Sequence, residues 1–378
     1  MPALYQLGIV GSGQIARMTH QAALQLGITP RLLAENIGDS AAQAASQATF
    51  NHPDTLSGFA SDCEIITFEH ERVDLGLLAA IDREDSTTIR PGITTIRAAF
   101  DRLHQRRILT HKGFLTPIYA ELRGADDSID FGEKAGYPFV IKTIRSGEAN
   151  LRNVWMVENS DEALRVLSEN VGRPLMAEEH LDILSELVVL VARRPGGNTR
   201  AYPVSEVVNH NGECRMVRVP AAIGSRLAAE ATDIALDIAR QVDAVGLLAI
   251  EMFVTTKGVV VNELAARPHN AGHPTIEGAV TSQFENHVRA ILNLPLGPTA
   301  LRSPAVVSIN VIGDIDGSDP ARHLPDALAV EGAHIHLYGK RPMRGRKLGH
   351  VTALGDSFEQ AHALASRAEA ALRGKHRA

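Results

Sequence analysis

The sequence predicts an α/β protein whose middle is an α+β core, and three observations carry that expectation. Short apolar runs alternate with helix-spaced segments in the N-terminal quarter, the β-α-β-α-β rhythm of a parallel sheet with right-handed crossovers. Two later stretches, 200–220 and 247–265, read instead as antiparallel hairpins. The 378 residues are 44% hydrophobic and 22% charged, an ordinary globular balance with chain enough for two or three domains.

In order, residues 4–10 (LYQLGIV) read as a buried strand, and residues 11–27 as a glycine turn opening into a helix. Ile15, Met18, Ala22 and Leu26 fall at helical spacing, and Gly27 suits the stop. RLLAEN is the second strand, followed by an alanine-rich helix and a third strand in CEIITFEHE. Pro91-Gly92 closes this unit. Residues 95–110 are helical, YPFVIKT is a strand, and SDEALRVLSEN is a helix with Ser160 as N-cap and acids in its first turn. ELVVLVARR is a valine-rich strand. A hairpin with Asn211-Gly212 at its tip follows, then a helix over 225–242. The second hairpin turns at TTKG, and residues 277–293 form a further helix. The tail, 300–378, holds short strands and a final alanine-rich helix. The chain carries no internal repeat.

Bulk properties exclude several classes of partner. The formal charge is −6, so attraction to nucleic acid is not expected. The start, MPALYQLGIVGSG, lacks the pattern of a signal peptide, and no apolar run approaches the ~20 residues of a membrane helix. Cys63 and Cys214 are far apart and have no metal-ligand spacing, which fits a reducing compartment. A cytoplasmic protein without a membrane partner is the expectation.

Four clusters could carry chemistry. In the second hairpin, pairing across the turn brings Phe253 to Val260 and Glu251 near Asn262. A one-residue bulge would set Glu251 and Glu263 on one face. Paired hard oxygens suit Mg²⁺ bridged to nucleotide phosphates, with Mn²⁺ as the alternative ion. The bland alternative is an ion pair with Arg267. Arg267, His269, Asn270 and His273 follow the strand without helical or strand period, and weigh for a site. GSGQIA after a strand, with Glu35 closing the next, is the outline of a dinucleotide fingerprint, yet any tight β-α turn needs such glycines. Lys142 ends a strand, and Glu178, Glu179 and Glu186 follow at a spacing that a linker offering groups to adenine and ribose would have. Lys340, Arg341, Arg344, Arg346 and Lys347 surround Gly345 in a turn suited to phosphate, or simply to solvent.

In this order the pieces resemble one family. NELAARPHNAGHPTIEGAVTSQFENHVRAILNLPLG is similar to the matching stretch of carboxyaminoimidazole ribonucleotide synthetase, a purine-pathway carboxylase of the ATP-grasp superfamily. GSGQIARM, ITFEHE, DRLHQRRIL, YPFVIKT, AIEMFV and YGK…GRKLGHVT extend the likeness over nearly the whole chain. The resemblance implies a Rossmann-like domain over 1–97, an ATP-grasp domain over 98–299 with a mobile lid lobe at about 110–180, and a small β-rich C-terminal domain over 300–378. It implies ATP as co-substrate, bicarbonate and an amino ribonucleotide as substrates, and a homodimer. By motif, Glu251 and Glu263 hold the metal. Arg102, Lys142, Glu178, Glu179, Leu181, Glu186, Asn209, Asn262 and Glu263 contact ATP. Arg267, His269 and Asn270 lie where bicarbonate and the amine meet, and Gly13, Gln14, Glu69, Lys340 and Arg346 hold the ribonucleotide.

Three departures stand out. The family's glycine-rich lid loop reads SGEANLRN at residues 146–153, keeping only Gly147, with Arg152 as the nearest cation. Asn209 stands where histidine is usual, with His210 displaced by one. GKRPMRGRK is one residue short between lysine and arginine. These changes set an ordinary carboxylase against a paralogue that joins another amine or carboxylate, a non-catalytic nucleotide binder, and an NAD-dependent oxidoreductase.

Overall fold

A computed structural model describes the chain except residues 1–4, 47, 51–54, 85–86, 146–152, 211–212, 315–316 and 376–378. The N-terminal unit runs β1 (Leu7–Val10), α1 (Gln14–Gln25), β2 (Arg31–Ala34), β3 (Ala48–Phe50), α2 (Thr55–Ser61), β4 (Ile65–Phe68), α3 (Leu75–Arg83) and β5 (Thr88–Ile89). Among the described residues its strands form a parallel sheet in the order β3-β2-β1-β4-β5. The order reverses at β1/β4, so a crevice opens beyond the carboxyl ends of these two strands. The alanine-rich segment after β2 is a set of turns, not the expected helix. Asp39 accepts from the Asn36 amide and the Ser12 hydroxyl, and the Ala41 amide donates to the Ser12 carbonyl, which diverts the backbone. Ala41, Ala42 and Ala45 still pack on β1 and β2, as small residues that let the turns lie close.

The helix expected over 95–110 is two: α4 (Ile93–Phe100) and α5 (Arg102–His111). Asp101 breaks it in extended conformation, caps the His104 amide at 2.9 Å and bridges to Arg145. A small α+β unit follows: β6 (Tyr119–Leu122), α6 (Ala125–Ala135), β7 (Phe139–Thr143), β8 (Val154–Val157), α7 (Ser160–Glu169) and β9 (Leu175–Glu179). The strands are antiparallel in the order β6-β9-β7-β8, over a core of Phe131, Phe139, Trp155 and Leu175. The cap of α7 is Asn159, one residue before the expected Ser160. Its side chain takes the Glu162 amide at 3.0 Å, satisfying a donor of the first turn.

The core continues with β10 (Ser185–Arg193), β11 (Thr199–Ala201), β12 (Ser205–His210), β13 (Glu213–Val219), α8 (Ser225–Gln241), β14 (Gly246–Thr255), β15 (Gly258–Ala265), α9 (Thr275–Gly278) and α10 (Gln283–Ile291). The tail adds β16 (Ala305–Ile312), α11 (Leu324–Leu328), β17 (Ala333–Leu337), β18 (Lys347–Gly355) and α12 (Phe358–Leu372). The tail strands are not all short: β16 and β18 span eight and nine residues. They join the core sheet, whose order is β15-β14-β10-β12-β13-β16-β18-β17, with β11 on β10. On one face Ala231, Ala235, Ile238 and Ala239 of α8 press against the valines of β10 and β15. The tip of the first hairpin, Asn211-Gly212, lies outside the described residues. The helix expected over 277–293 is interrupted. The Gly278 carbonyl accepts from Arg302, the Val280 amide donates to Ala300, and Ser282 caps α10 at Glu285. Among the described residues no helix is long and apolar enough to cross a membrane.

Candidate active site

The β14/β15 hairpin carries the bulge that a shared face for its acids requires. Phe253 faces Val260 and Met252 faces Val261, but Glu251 then faces Glu263, leaving Asn262 as the inserted residue. Glu251 accepts from Asn262 Nδ2 at 3.1 Å and lies 3.2 Å from His269 Nε2. His269 Nδ1 accepts the Ala271 amide at 3.3 Å, so its N–H sits on Nε2 and is donated to Glu251. Burial pushes the Glu251 carboxyl up, but His269, then Asn262 and Arg267, outweigh it and hold it below its ordinary value. Glu263 meets Arg102 Nη2, 3.4 Å from each oxygen, and Arg102 Nη1 donates to the Thr143 carbonyl at 3.0 Å. The Asn262 Oδ1 atom is buried without a hydrogen-bond partner. Two facing carboxylates and an orphaned amide oxygen form a hard-oxygen donor set that fits Mg²⁺, with phosphate oxygens completing the shell. Among the described residues no group of three or more His, Cys, Asp or Glu side chains is placed to hold a metal, so the ion would depend on the nucleotide.

Arg267 is fixed by a residue the sequence reading passed over. Its Nε donates to Glu71 at 3.1 Å, and the other Glu71 oxygen takes the Ala266 amide at 3.0 Å. Glu69 was assigned from ITFEHE. Glu71, two positions on in the same acidic run past the end of β4, was the available signal. His269 is gripped through its backbone by Gln283, which accepts its amide at 2.9 Å and donates to its carbonyl at 2.6 Å. Asn270 Oδ1 accepts from Gln14 Nε2 at 3.3 Å, and Gln14 Oε1 accepts from Lys340.

Three cavities meet here. One of about 400 Å³ is lined by Arg102, Glu251, Glu263, Arg267 and His269. One of about 280 Å³ is lined by Gly13, Gln14, Glu69, Asn270, Lys340 and Arg346, and Arg267 reaches it too. The third, also about 280 Å³, holds Glu186, Asn209, Glu251 and His269. There a register shift after Val208 turns Asn209 toward Glu186, and the two bond at 2.6 Å. Burial raises the Glu186 carboxyl, Asn209 opposes that shift, and Glu251 adds to it. Burial likewise lowers Lys340, against the pull of Glu69.

Other assigned residues stand apart. Glu179 accepts the Ile118 amide at 3.0 Å, and Leu181 lies half-buried between β9 and β10. The Glu178 carboxylate is enclosed by Arg106 at 2.7 Å and Lys142 at 2.5 Å, one cation on each oxygen. Residues 146–152, with Arg152, lie outside the described residues. The glycine turn is occupied by the protein itself. Glu69 accepts from the Gly13 amide and, at 3.2 Å, from the Ile15 amide, so its carboxylate is the anion at the α1 N-terminus. Gly11 has φ +112°, and a Cβ on Gly13 would collide with Glu69. These glycines serve Glu69, which leaves no cradle for the pyrophosphate of a dinucleotide.

Comparison with known proteins agrees with this architecture. The chain matches the ribonucleotide synthetase preATP-grasp domain over residues 4–99, the ATP-grasp domain over 107–284 and the phosphoribosylaminoimidazole carboxylase C-terminal domain over 306–364. It is 38% identical to the N5-carboxyaminoimidazole ribonucleotide synthase of Mycobacterium tuberculosis, across 97% of this chain and 86% of that protein. The Thermus thermophilus N5-carboxyaminoimidazole ribonucleotide synthetase superposes with a TM-score of 0.87 at 33% identity, covering 96% of this chain and 97% of that one. The Aspergillus clavatus N5-carboxyaminoimidazole synthase, solved with ADP and 5-aminoimidazole ribonucleotide, gives 0.89 at 27% identity, covering 99% and 100%. With its fold and nearly its full length shared with these enzymes, the chain belongs to the N5-carboxyaminoimidazole ribonucleotide synthase family of ATP-grasp ligases.

Proposed function

We propose that the chain carboxylates the amine of 5-aminoimidazole ribonucleotide with bicarbonate, using ATP and giving N5-carboxyaminoimidazole ribonucleotide, ADP and phosphate. One observation carries the placement of the chemistry: Arg267 lines both the acid-pair cavity and the basic cavity, so the groups between them can share a reaction centre. In the first step a bicarbonate oxygen attacks the γ-phosphorus, the bond to ADP breaks, and carboxyphosphate forms. In the second the amine attacks the carboxyl carbon, directly or as released CO₂, phosphate departs, and the nitrogen loses a proton. Carboxyphosphate is short-lived in water, so the site must exclude solvent and hold the amine close.

Glu251, Glu263 and the Asn262 oxygen would hold Mg²⁺, which neutralises charge on the transferring phosphoryl group. Arg102 and Lys142 face the ATP phosphates, Glu186 and Asn209 the ribose, and Glu179 and Leu181 the adenine edge. Arg267, anchored by Glu71, orients bicarbonate, while the His269 imidazole is held by Glu251, and its backbone by Gln283, beside the amine. Lys340 and Arg346 take the ribonucleotide phosphate, and Gln14 and Asn270 bridge from there to the centre. A cytoplasmic homodimer is the assembly expected of the family, checked by sedimentation. The deciding assay is ADP release, which is expected to need bicarbonate and the ribonucleotide together. Release that ignores the ribonucleotide but responds to another amine would turn the assignment to a paralogous ligase.

A further inference from the structure

Arg106 is among the largest fully buried side chains of the molecule, 1% exposed, and it lines none of the three cavities. A buried guanidinium is costly unless something specific holds it there. Its Nε donates to Glu178 Oε1 at 2.7 Å, and Lys142 Nζ lies 2.5 Å from the other oxygen. Glu178 is itself 2% exposed, while 15% of the Lys142 side chain is accessible, so the triad is closed except on the lysine side. The register explains the arrangement. On β7 and β9, Val140 faces Glu178 and Lys142 faces Met176, so Lys142 and Glu178 are diagonal neighbours on one face of their sheet. Arg106 reaches that face from α5, one turn after Arg102, whose own guanidinium reaches Glu263 in the core. Helix α5 therefore presents one cation to each lobe.

The charges decide what the triad does. One carboxylate between two cations leaves one surplus positive charge, and the accessible member is Lys142. Without Arg106 the Glu178–Lys142 pair would be neutral, and the lysine would be drawn fully onto its partner. We infer that Arg106 is a positioning residue for nucleotide binding: it saturates Glu178 so that Lys142 stays both fixed in place and electrostatically free to meet the ATP phosphates. Burial pushes the Glu178 carboxyl up, but Arg106 and then Lys142 more than offset this and hold it down at about 2, so the carboxylate is ionised at any working pH. An arginine suits this position because it keeps its proton where a buried lysine would tend to lose it.

The inference rests on the proposed role of Lys142 but not on which amine is carboxylated. Its test therefore uses nucleotide affinity alone, with Mg²⁺ and the non-hydrolysable analogue adenylyl imidodiphosphate, read by calorimetry. R106M is expected to weaken binding about tenfold or more. The double variant R106M/E178Q keeps an acceptor for Lys142 but removes the competing charge, and is expected to return affinity to within about threefold of the parent. Near-parental affinity in R106M, or a double variant no better than the single, overturns the inference. Should R106M fail to fold, the double variant, which carries the same single surplus positive charge as the parent, decides alone: affinity within about threefold of the parent supports the role, and a tenfold loss overturns it. The tenfold loss in R106M and its rescue in the double variant, beside a failed ribonucleotide assay, would sink the substrate assignment and leave Arg106 standing.

Discussion

The glycine turn after β1 and the hairpin of β14 and β15 are both polar clusters at the ends of apolar strands, and both read from sequence as places for a ligand. At the glycine turn the amides at the α1 N-terminus already hold the carboxylate of Glu69, and the glycines exist to let it approach. In the hairpin, two carboxylates face each other, an amide oxygen is buried without a partner, and the nearest cation on Glu263 is 3.4 Å away. One cluster is internally satisfied and the other is not. A motif tells which groups are close, and the unsatisfied balance tells which of them await something from outside.

Substitutions should separate the two regions by kind of damage. The largest effect is expected for Glu263→Gln, which removes a charged oxygen donor while leaving the β-pairing intact. Turnover should fall about a hundredfold or more with little change in melting temperature. Full MgATP-dependent turnover in that variant would erase the contrast. Arg267→Lys should cost about tenfold in kcat/KM for bicarbonate, because a point charge cannot both engage Glu71 and present a planar fork. Gly13→Ala should act on the other region and mainly through stability. Crowding Glu69 should destabilise the fold by about 1–3 kcal/mol, visible in denaturant melts, with a smaller loss of ribonucleotide affinity. The last effect, absent at neutral pH and seen only in acid, concerns the joint between the regions. His287 accepts the Leu247 amide of β14 at 3.0 Å and bonds Thr67 of β4 at 2.9 Å, and burial lowers it to about 3. Its folded value lies below the unfolded one, so its contribution is complete above about pH 6.5 and is lost as pH falls toward 3, at about 1.4 kcal/mol per unit. His287→Gln should flatten that part of a melting-versus-pH curve, and an unchanged slope would discharge His287 from the joint.

Local signals carried much of the architecture. The N-terminal β-α alternation, the valine-rich strands and both hairpins were legible because period and turn chemistry agree over short windows. The bulge at Asn262 was legible because only a slipped register lets two acids in opposite phase share a side. What escaped depended on distant partners. Asp101 ends α4 because the Arg102 amide pairs with Ile144, and the alanine-rich segment turns because Ser12 and Asp39 capture its backbone. The break between α9 and α10 follows from pairing with residues 300–302. In the site, Arg106 lies 72 positions from Glu178, and nothing near either residue announces the other.

The connection between β13 and β16 has a practical side. The Val219 end of β13 is hydrogen-bonded along its outer edge to β16, which begins beyond residue 299. A fragment cut there would expose a row of unpaired amides and carbonyls on a long, valine-bearing border, an invitation to self-association. It would also lose the β17–β18 loop that carries Lys340 and Arg346. Trimmed versions made for crystallisation or engineering should therefore be divided inside surface turns and not at that junction.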